Sequence, residues 1–377
     1  MRWVRATTAL VAIGAALLSA SNATAATQCS ARWRLVAETA GPWLNGGLVA
    51  LGPTDVWASG RVGPTGDPTP VLVHWDGRHL RRFAAFTPTR EGGGTVGALS
   101  AVSSTDVWAL GRDGIPWARS NNNVNTSVVL HWNGREWSRM PTPPLPKGAV
   151  LDDIAAAGPN DVWLVGEGGP YFRPIILHWN GTRWGVSDLW RVTPYGSMLS
   201  AIASRSPDDV WAVGTSGLDA PVSFGYGDLV MHWDGRHWAQ VHSPLGDVAG
   251  SGPFPFGVGI APSGEVWTVN QDESANDPAF VRFSADGTHA SVLTPGIDFG
   301  PNQIVPVSSE SLWVTGVVYG SNGLTGSSAL LHRDGGRWRF VHIPKGDMKQ
   351  EPFWTLAALS PSDVWAAGGR LLARWSC

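Results

Sequence analysis

The sequence predicts an all-β fold, a seven-bladed β-propeller of four-stranded antiparallel blades whose last blade is completed by the N-terminal strand. Three observations predict it. A short phrase recurs seven times, as DVWASG from Asp55, DVWALG from Asp106, DVWLVG from Asp161, DVWAVG from Asp209, EVWTVN from Glu265, SLWVTG from Ser311 and DVWAAG from Asp363. Its tryptophans, Trp57, Trp108, Trp163, Trp211, Trp267, Trp313 and Trp365, lie 51, 55, 48, 56, 46 and 52 residues apart, a spacing that belongs to propeller-type repeats. A second phrase, His-Trp followed by Asp or Asn and then Gly, recurs at His74, His131, His178 and His232, with a variant at His332. The fifth unit lacks it and carries Arg282 to Gly287 instead.

The chain opens with two arginines, an apolar stretch from Ala9 to Leu18 and small residues at Ala23 and Ala25, so residues 1–25 read as a signal peptide. The propeller is expected over 26–377, exported from the cell to an extracellular location. No later stretch approaches the roughly 18 apolar residues of a membrane span. A lipid anchor on Cys29 is disfavoured, because the preceding Ala-Thr-Gln lacks the expected Leu and small residue.

Composition agrees with short strands and many tight turns: Gly 47, Pro 28 and 15% charged residues. A net charge of −3 without a Lys/Arg run excludes nucleic acid as a partner. About 350 mature residues fill seven units of about fifty and leave no room for an appended catalytic domain.

The second unit shows how each is built. Ala98 to Val102 is a run of small residues suited to the crowded innermost strand, and Ser103-Ser104-Thr105-Asp106 is turn chemistry. Val107 to Gly111 is the second strand, Arg112 to Thr126 a long polar loop, and Ser127 to Trp132 the third strand. Asn133-Gly134 reads as a two-residue hairpin turn with positive φ at both positions, leading to a fourth strand over Glu136 to Met140.

Of the 22 tryptophans, 17 occupy repeat positions: the seven above, Trp75, Trp132, Trp179, Trp233 and Trp375 before the hairpin turn, and Trp33, Trp137, Trp184, Trp238 and Trp338 after it. They are expected to be buried between blades rather than to bind a ligand. At about 25 cal/mol/Å², burying one ring contributes about 4–6 kcal/mol as an upper bound. The seventh unit stops after its third strand at Leu371 to Cys377, and the segment Cys29 to Val36, with Trp33 in the matching place, supplies the fourth. Cys29 and Cys377, the two cysteines, then fall at the turn position and are expected to form a disulfide that latches the ring.

With the DVW phrase and the HW-[DN]-G-x-x-W phrase in place, the chain resembles the secreted DVWAVG-repeat propellers of actinobacteria. These are distant in pattern from kelch and galactose-oxidase-type propellers. The resemblance covers all seven units and implies blades of four antiparallel strands around a channel; it imports no activity. Kelch repeats usually carry a double glycine after the second strand, where most units here carry one.

The first-to-second and third-to-fourth turns share one face and are short and monotonous. The second-to-third loops and the blade-to-blade connections share the other, which holds the chemical variety and is the expected binding face. All four tyrosines, Tyr171, Tyr195, Tyr226 and Tyr319, lie in these segments, with Trp117, Trp190, Phe172, Phe224, Phe254 and Phe256. Trp43 and Trp354 stand near the starts of inner strands. The expected function is that of a secreted, non-catalytic, monomeric recognition module for a glycan or a cell-envelope protein. Trp117, Tyr171, Arg173, Trp190, Tyr226, Tyr319 and Trp354 are its candidate binding residues. An alternative is a glycosidase or polysaccharide lyase using paired carboxylates at the channel mouth, from Asp113, Glu167, Asp219, Asp228, Asp272, Glu273 and Asp277.

No cofactor or metal is expected. Five of the ten histidines repeat at one place in the unit and read as scaffold, and none lies in a second-to-third-strand loop, against a clustered copper or zinc site. A calcium ion in the acidic loop Asn270 to Asp277 is the weaker reading beside simple solvation. The aspartate of the DVW phrase reads as a cap on the preceding turn.

Overall fold

The computed structural model describes residues 32–64, 66–89, 92–114, 126–169, 172–187, 189, 193, 196–218, 227–245, 254–271, 278–318, 327–341 and 353–376. Residues 1–25, expected as a signal peptide, both cysteines and the site candidates Trp117, Tyr171, Trp190, Tyr226 and Tyr319 lie outside these residues.

The strands form seven four-stranded antiparallel sheets. After β1 (Arg32–Glu38), blade 1 holds β2 (Trp43–Gly52), β3 (Asp55–Val62), β4 (Thr69–Trp75) and β5 (Leu80–Ala84). Blade 2 holds β6 (Gly94–Ser103), β7 (Asp106–Asp113), β8 (Thr126–Trp132) and β9 (Trp137–Met140). Blade 3 follows with β10 (Val150–Gly158), β11 (Asp161–Gly168), β12 (Arg173–Trp179) and β13 (Trp184–Val186). Blade 4 is β14 (Met198–Ser206), β15 (Asp209–Ser216), β16 (Gly227–Trp233) and β17 (Trp238–Val241). Blade 5 is β18 (Phe254–Ile260), β19 (Val266–Gln271), β20 (Pro278–Phe283) and β21 (Ala290–Leu293). Blade 6 is β22 (Phe299–Pro306), β23 (Ser311–Val318), β24 (Ser327–Asp334) and β25 (Arg337–Val341). The last blade joins β26 (Thr355–Ser360), β27 (Asp363–Gly368) and β28 (Leu371–Ser376) to β1 at its outer edge.

The closure expected from the sequence is present. Strand β1 pairs with β28 so that Trp33 faces Trp375, as Trp137 faces Trp132 in blade 2. Trp33 is 3% exposed and meets Trp313 edge-on at 5.9 Å and 89°, the contact that Trp184 makes with Trp108. A strand from one end of the chain therefore does the packing of a local fourth strand.

Each core lies between blades, because one sheet cannot bury rings on both faces alone. Trp57 packs on Val107, Ala109 and Leu130 of blade 2, and Trp163 on Val210, Ala212 and Met231 of blade 4. Trp365 closes the circle against Val56, Ala58 and Val73 of blade 1. All seven repeat tryptophans at this position are fully buried, while Trp75, Trp137, Trp179, Trp233, Trp338 and Trp375 are only half-buried. The expectation of a uniformly buried set thus holds for the second strands and weakens toward the rim.

Two details differ from the sequence reading. The Asn133-Gly134 connection is a four-residue loop between the paired Trp132 and Trp137, and only Gly134, at φ 88, takes positive φ. Asn133 Oδ1 instead accepts the N–H groups of Arg135 and Glu136 at 2.9 and 3.0 Å, as Asp76 accepts those of Arg78 and His79. The side chain supplies the acceptor, so the backbone does not need a second left-handed residue. A Cβ on Gly134 would lie 2.8 Å from the Thr105 side chain of the first-to-second turn, which places both kinds of short turn side by side on one face.

The DVW aspartate does not cap the preceding turn. Asp106 Oδ1 accepts from Trp108 Nε1 and lies against His131 Nε2, both at 2.8 Å, while the His131 ring stacks on Trp108 at 4.3 Å. Asp161 and Asp209 repeat this arrangement. Blades 5 and 7 replace histidine by arginine: Arg282 pairs with Glu265 and lies over Trp267, and Arg374 pairs with Asp363 and lies over Trp365. These repeated acid–histidine–indole groups are scaffold.

Candidate functional site

The seven inner strands line a central channel of about 610 Å³. In a regular inner strand, alternate side chains point into the two inter-blade cores and none points down the axis. A β-bulge changes this by turning one extra residue edgewise. The pairing register skips Gly97 in blade 2, Asp152 in blade 3, Ser200 in blade 4, Phe256 in blade 5 and Asn302 in blade 6. Blade 1 has a longer bulge over residues 45–47, and in blade 7 the Trp354 N–H reaches the Ala367 carbonyl although Thr355 already faces Ala367.

The outcome is a ring of seven equivalent positions on the channel wall: Gly46, Gly97, Asp152, Ser200, Phe256, Asn302 and Trp354. Each stands eleven residues before its blade's repeat tryptophan. Trp354 is 38% exposed between Phe353 at 2% and Thr355 at 5%, which shows the bulge presenting one side chain out of a buried strand. Because each inner strand starts on the loop face and the bulge comes early in it, the ring sits toward the loop-face mouth.

The final glycine of the DVWxxG phrase belongs to the same device. A Cβ on Gly166 or Gly214 would lie 2.0 or 1.9 Å from the carbonyl oxygen of Val150 or Met198, where the inner strand crosses just before its bulge. The glycine is required by that close approach.

The ring carries little symmetry of chemistry. Blades 1 and 2 present no side chain, blade 3 a carboxylate, blade 4 a hydroxyl, blade 6 an amide, and blades 5 and 7 exposed aromatic rings. Ser200 Oγ donates to the Pro255 carbonyl at 2.7 Å, tying blade 4 to blade 5. Asp152 pairs with Arg112 of β7. Its neighbour Asp153 accepts N–H groups from Ile154 at 2.8 Å and from Ile202 of the next blade at 2.9 Å. Burial raises the Asp153 pKa to about 7, the two N–H groups oppose the rise, and the charge on Asp152 adds to it. Gln303 makes the corresponding tie to the Leu356 backbone between blades 6 and 7.

No family model matches the chain, and no curated protein matches it. Solved propellers do. The structure of YCF48 bound to D1 peptide is similar over 92% of this chain and 97% of its own, at 17% identity and a TM-score of 0.56. A GH74 xyloglucanase from Xanthomonas campestris is similar over 91% of this chain and 53% of its own, at 14% identity and a TM-score of 0.56. The propeller domain of the Trilobed protease from Pyrococcus furiosus, which has an open velcro topology, covers 90% and 94% at 10% identity and a TM-score of 0.55. These likenesses show the fold.

Among the sequence-predicted residues, Trp354 lines the channel and Arg173 opens β12 on the loop face, exposed. The two do not share a cavity wall. The loop acids that are described face inward. Asp113 accepts the Thr89 backbone N–H at 3.0 Å and its hydroxyl at 2.7 Å, Asp228 accepts from Ser243, and Glu167 is 5% exposed. Asp219, Asp272, Glu273 and Asp277 lie outside the described residues, as does most of the Asn270 to Asp277 loop. Asn270 itself is fully buried and donates to Thr268 within blade 5. Among the described residues no group of three His, Cys, Asp or Glu side chains is placed to hold a metal ion, and no helix is long and apolar enough to cross a membrane.

Sequence reasoning passed over Asp152, Ser200 and Asn302, which read as ordinary inner-strand residues. The signal was available in the constant offset from each repeat tryptophan, once a bulge is known to occur there.

Proposed function

We propose that this chain is an exported, non-catalytic recognition module that engages a partner protein at the loop-face mouth of its channel. The observation that carries this reading is the bulge ring: one backbone device, repeated around the channel, presents unlike side chains at equivalent positions, while the opposite face repeats the same turn. Two of those side chains, Phe256 and Trp354, are large, apolar and 45% and 38% exposed. Exposed rings beside polar groups suit recognition surfaces. A structure with the same fold, YCF48, holds a D1 peptide; a glycan remains the second class of ligand for such rings.

The enzymatic reading has one specific observation, the adjacent Asp152 and Asp153 on the channel wall. Arg112 holds one oxygen of Asp152, whose other oxygen is buried, and two backbone N–H groups hold the oxygens of Asp153, which suits a wall that holds blades together better than an acid and base facing a bond.

The test compares wild type with the triple variant Phe256→Ala, Asn302→Ala, Trp354→Ala on peptide and glycan arrays. Binding lost in the triple variant supports the module. Equal binding by both proteins, or release of reducing sugar from a polysaccharide that Asp153→Asn abolishes, overturns it.

A further inference from the structure

We infer that the channel mouth selects a cationic side chain, a lysine or arginine of the partner, inserted along the propeller axis between the acidic wall of blade 3 and the rings of blades 5 and 7. This rests on the recognition reading above and specifies the chemistry of its ligand.

Charge is the first ground. The channel wall carries Asp152 and Asp153 and no lysine, arginine or histidine. Arg112 meets Asp152 from the second strand of blade 2 and is not part of the wall. Asp153 stands beside Asp152 with its carboxylate held between blades 3 and 4 by two backbone N–H groups, and acts on the channel through its charge. Two carboxylates against one guanidinium leave this side of the wall net acidic, which disfavours an anionic ligand and favours a cationic one.

The rings are the second ground. Phe256 and Trp354 line the same channel and are exposed, and an aromatic ring attracts a cation to its face through its quadrupole. The molecule uses this combination in its own scaffold, with Arg374 between Asp363 and Trp365, Arg282 between Glu265 and Trp267, and Arg333 between Glu310 and Trp267. The mouth offers a carboxylate and indole and phenyl faces from three separate blades.

Access is the third. Blades 1 and 2 carry Gly46 and Gly97 in the ring, so the wall beside Asp152 is open. The two glycines differ in kind. A Cβ on Gly46 would lie 2.2 Å from Ser59 Oγ, whereas one on Gly97 meets nothing within 4 Å. Gly97 is therefore a position where a side chain can be added into the mouth without disturbing the strand.

Cation binding beside Asp153 favours its ionised form, so affinity should rise from pH 6 to pH 8. The charged groups around Asp153 are Asp152 on its own strand and Arg112 from blade 2; residues 200–204 of the blade 4 strand contribute a backbone N–H and uncharged side chains, and Arg205 beyond them pairs with Asp209.

The test uses labelled peptides, acetylated and amidated, of Gly and Ser around one central residue: lysine, arginine, citrulline, norleucine or glutamate. Fluorescence polarisation is read for wild type, Gly97→Lys and Gly97→Glu, with Asn302→Lys and Asn302→Glu as a second charge pair should the first fail to fold. We expect lysine or arginine peptides to bind at least ~10-fold tighter than citrulline, norleucine or glutamate peptides. The lysine variants should weaken binding at least ~10-fold and the glutamate variants should not. Equal binding of cationic and neutral peptides, equal behaviour of the two charge variants, or no binding of any peptide at millimolar concentration overturns the inference. In each of these cases an array ligand lost in the triple variant would leave the recognition module standing, so the two failures are distinct.

Discussion

Ser311 Oγ stands 3.0 Å from His332 Nε2, in the place where four other blades set an aspartate against the same histidine. Without that carboxylate, burial first and the Arg339 charge second lower the His332 pKa to about 4, with Asp334 opposing.

His332 therefore predicts acid sensitivity. A histidine whose folded pKa lies below its unfolded value of 6.5 contributes stability that is full above that pH and is lost as pH falls toward 4. The loss is on the order of 2–3 kcal/mol. Ser311→Asp should raise the His332 pKa and flatten the fall in melting temperature between pH 6.5 and 4, read by NMR titration and thermal melts.

Asp153 predicts the opposite slope. Its folded pKa is raised from 3.8 to about 7, so its contribution to stability is full below the lower value and is lost as pH rises through the upper one. Asp153→Asn should remove a decline on the order of 3 kcal/mol between pH 4 and 7, measured by urea denaturation at fixed pH steps. A variant that keeps the wild-type slope would show that this carboxylate is solvated.

Two glycines should behave unlike each other. Gly214→Ala drives a Cβ to 1.9 Å from the Met198 carbonyl oxygen and should cost more than ~3 kcal/mol, whereas Gly97→Ala meets open space and should stay within ~0.5 kcal/mol of wild type. Chemical denaturation of the two proteins checks the bulge geometry directly.

The seam offers a further prediction. Arg32 pairs with Ser376 at the end of the described seam, three residues from Cys29 and one from Cys377 in sequence. We propose the Cys29–Cys377 disulfide as the latch of the ring, and for so long a loop the chain-entropy model gives about 5 kcal/mol. Intact mass of the protein purified without reductant should be lower than that of the reduced form by two hydrogen atoms, and Cys29→Ser should lower the melting temperature. Trp33→Ala, which empties a site 3% exposed between Trp313 and Phe353, should cost about 3–5 kcal/mol even with the disulfide in place.

The sequence by itself determined the number of blades, the strand order within them and the closure by β1. These depend on local signals that repeat: an apolar run, a turn and a tryptophan at a constant place in each unit. It also determined that the five repeat histidines are scaffold, since identical positions cannot all be a unique site. Which residues face the channel was decided only by tertiary structure. A bulge is a register shift between two strands, and neither strand alone shows it. Asn302 looks like any inner-strand residue until the second strand is laid against it, and Phe256, expected in a connection, proves to be the bulge residue of an inner strand. The role of Asp106 was hidden for the same reason, because His131 reaches it across a sheet from 25 residues away. Burial and pairing are properties of the assembled ring, and the chemistry of the mouth exists only where seven strands meet.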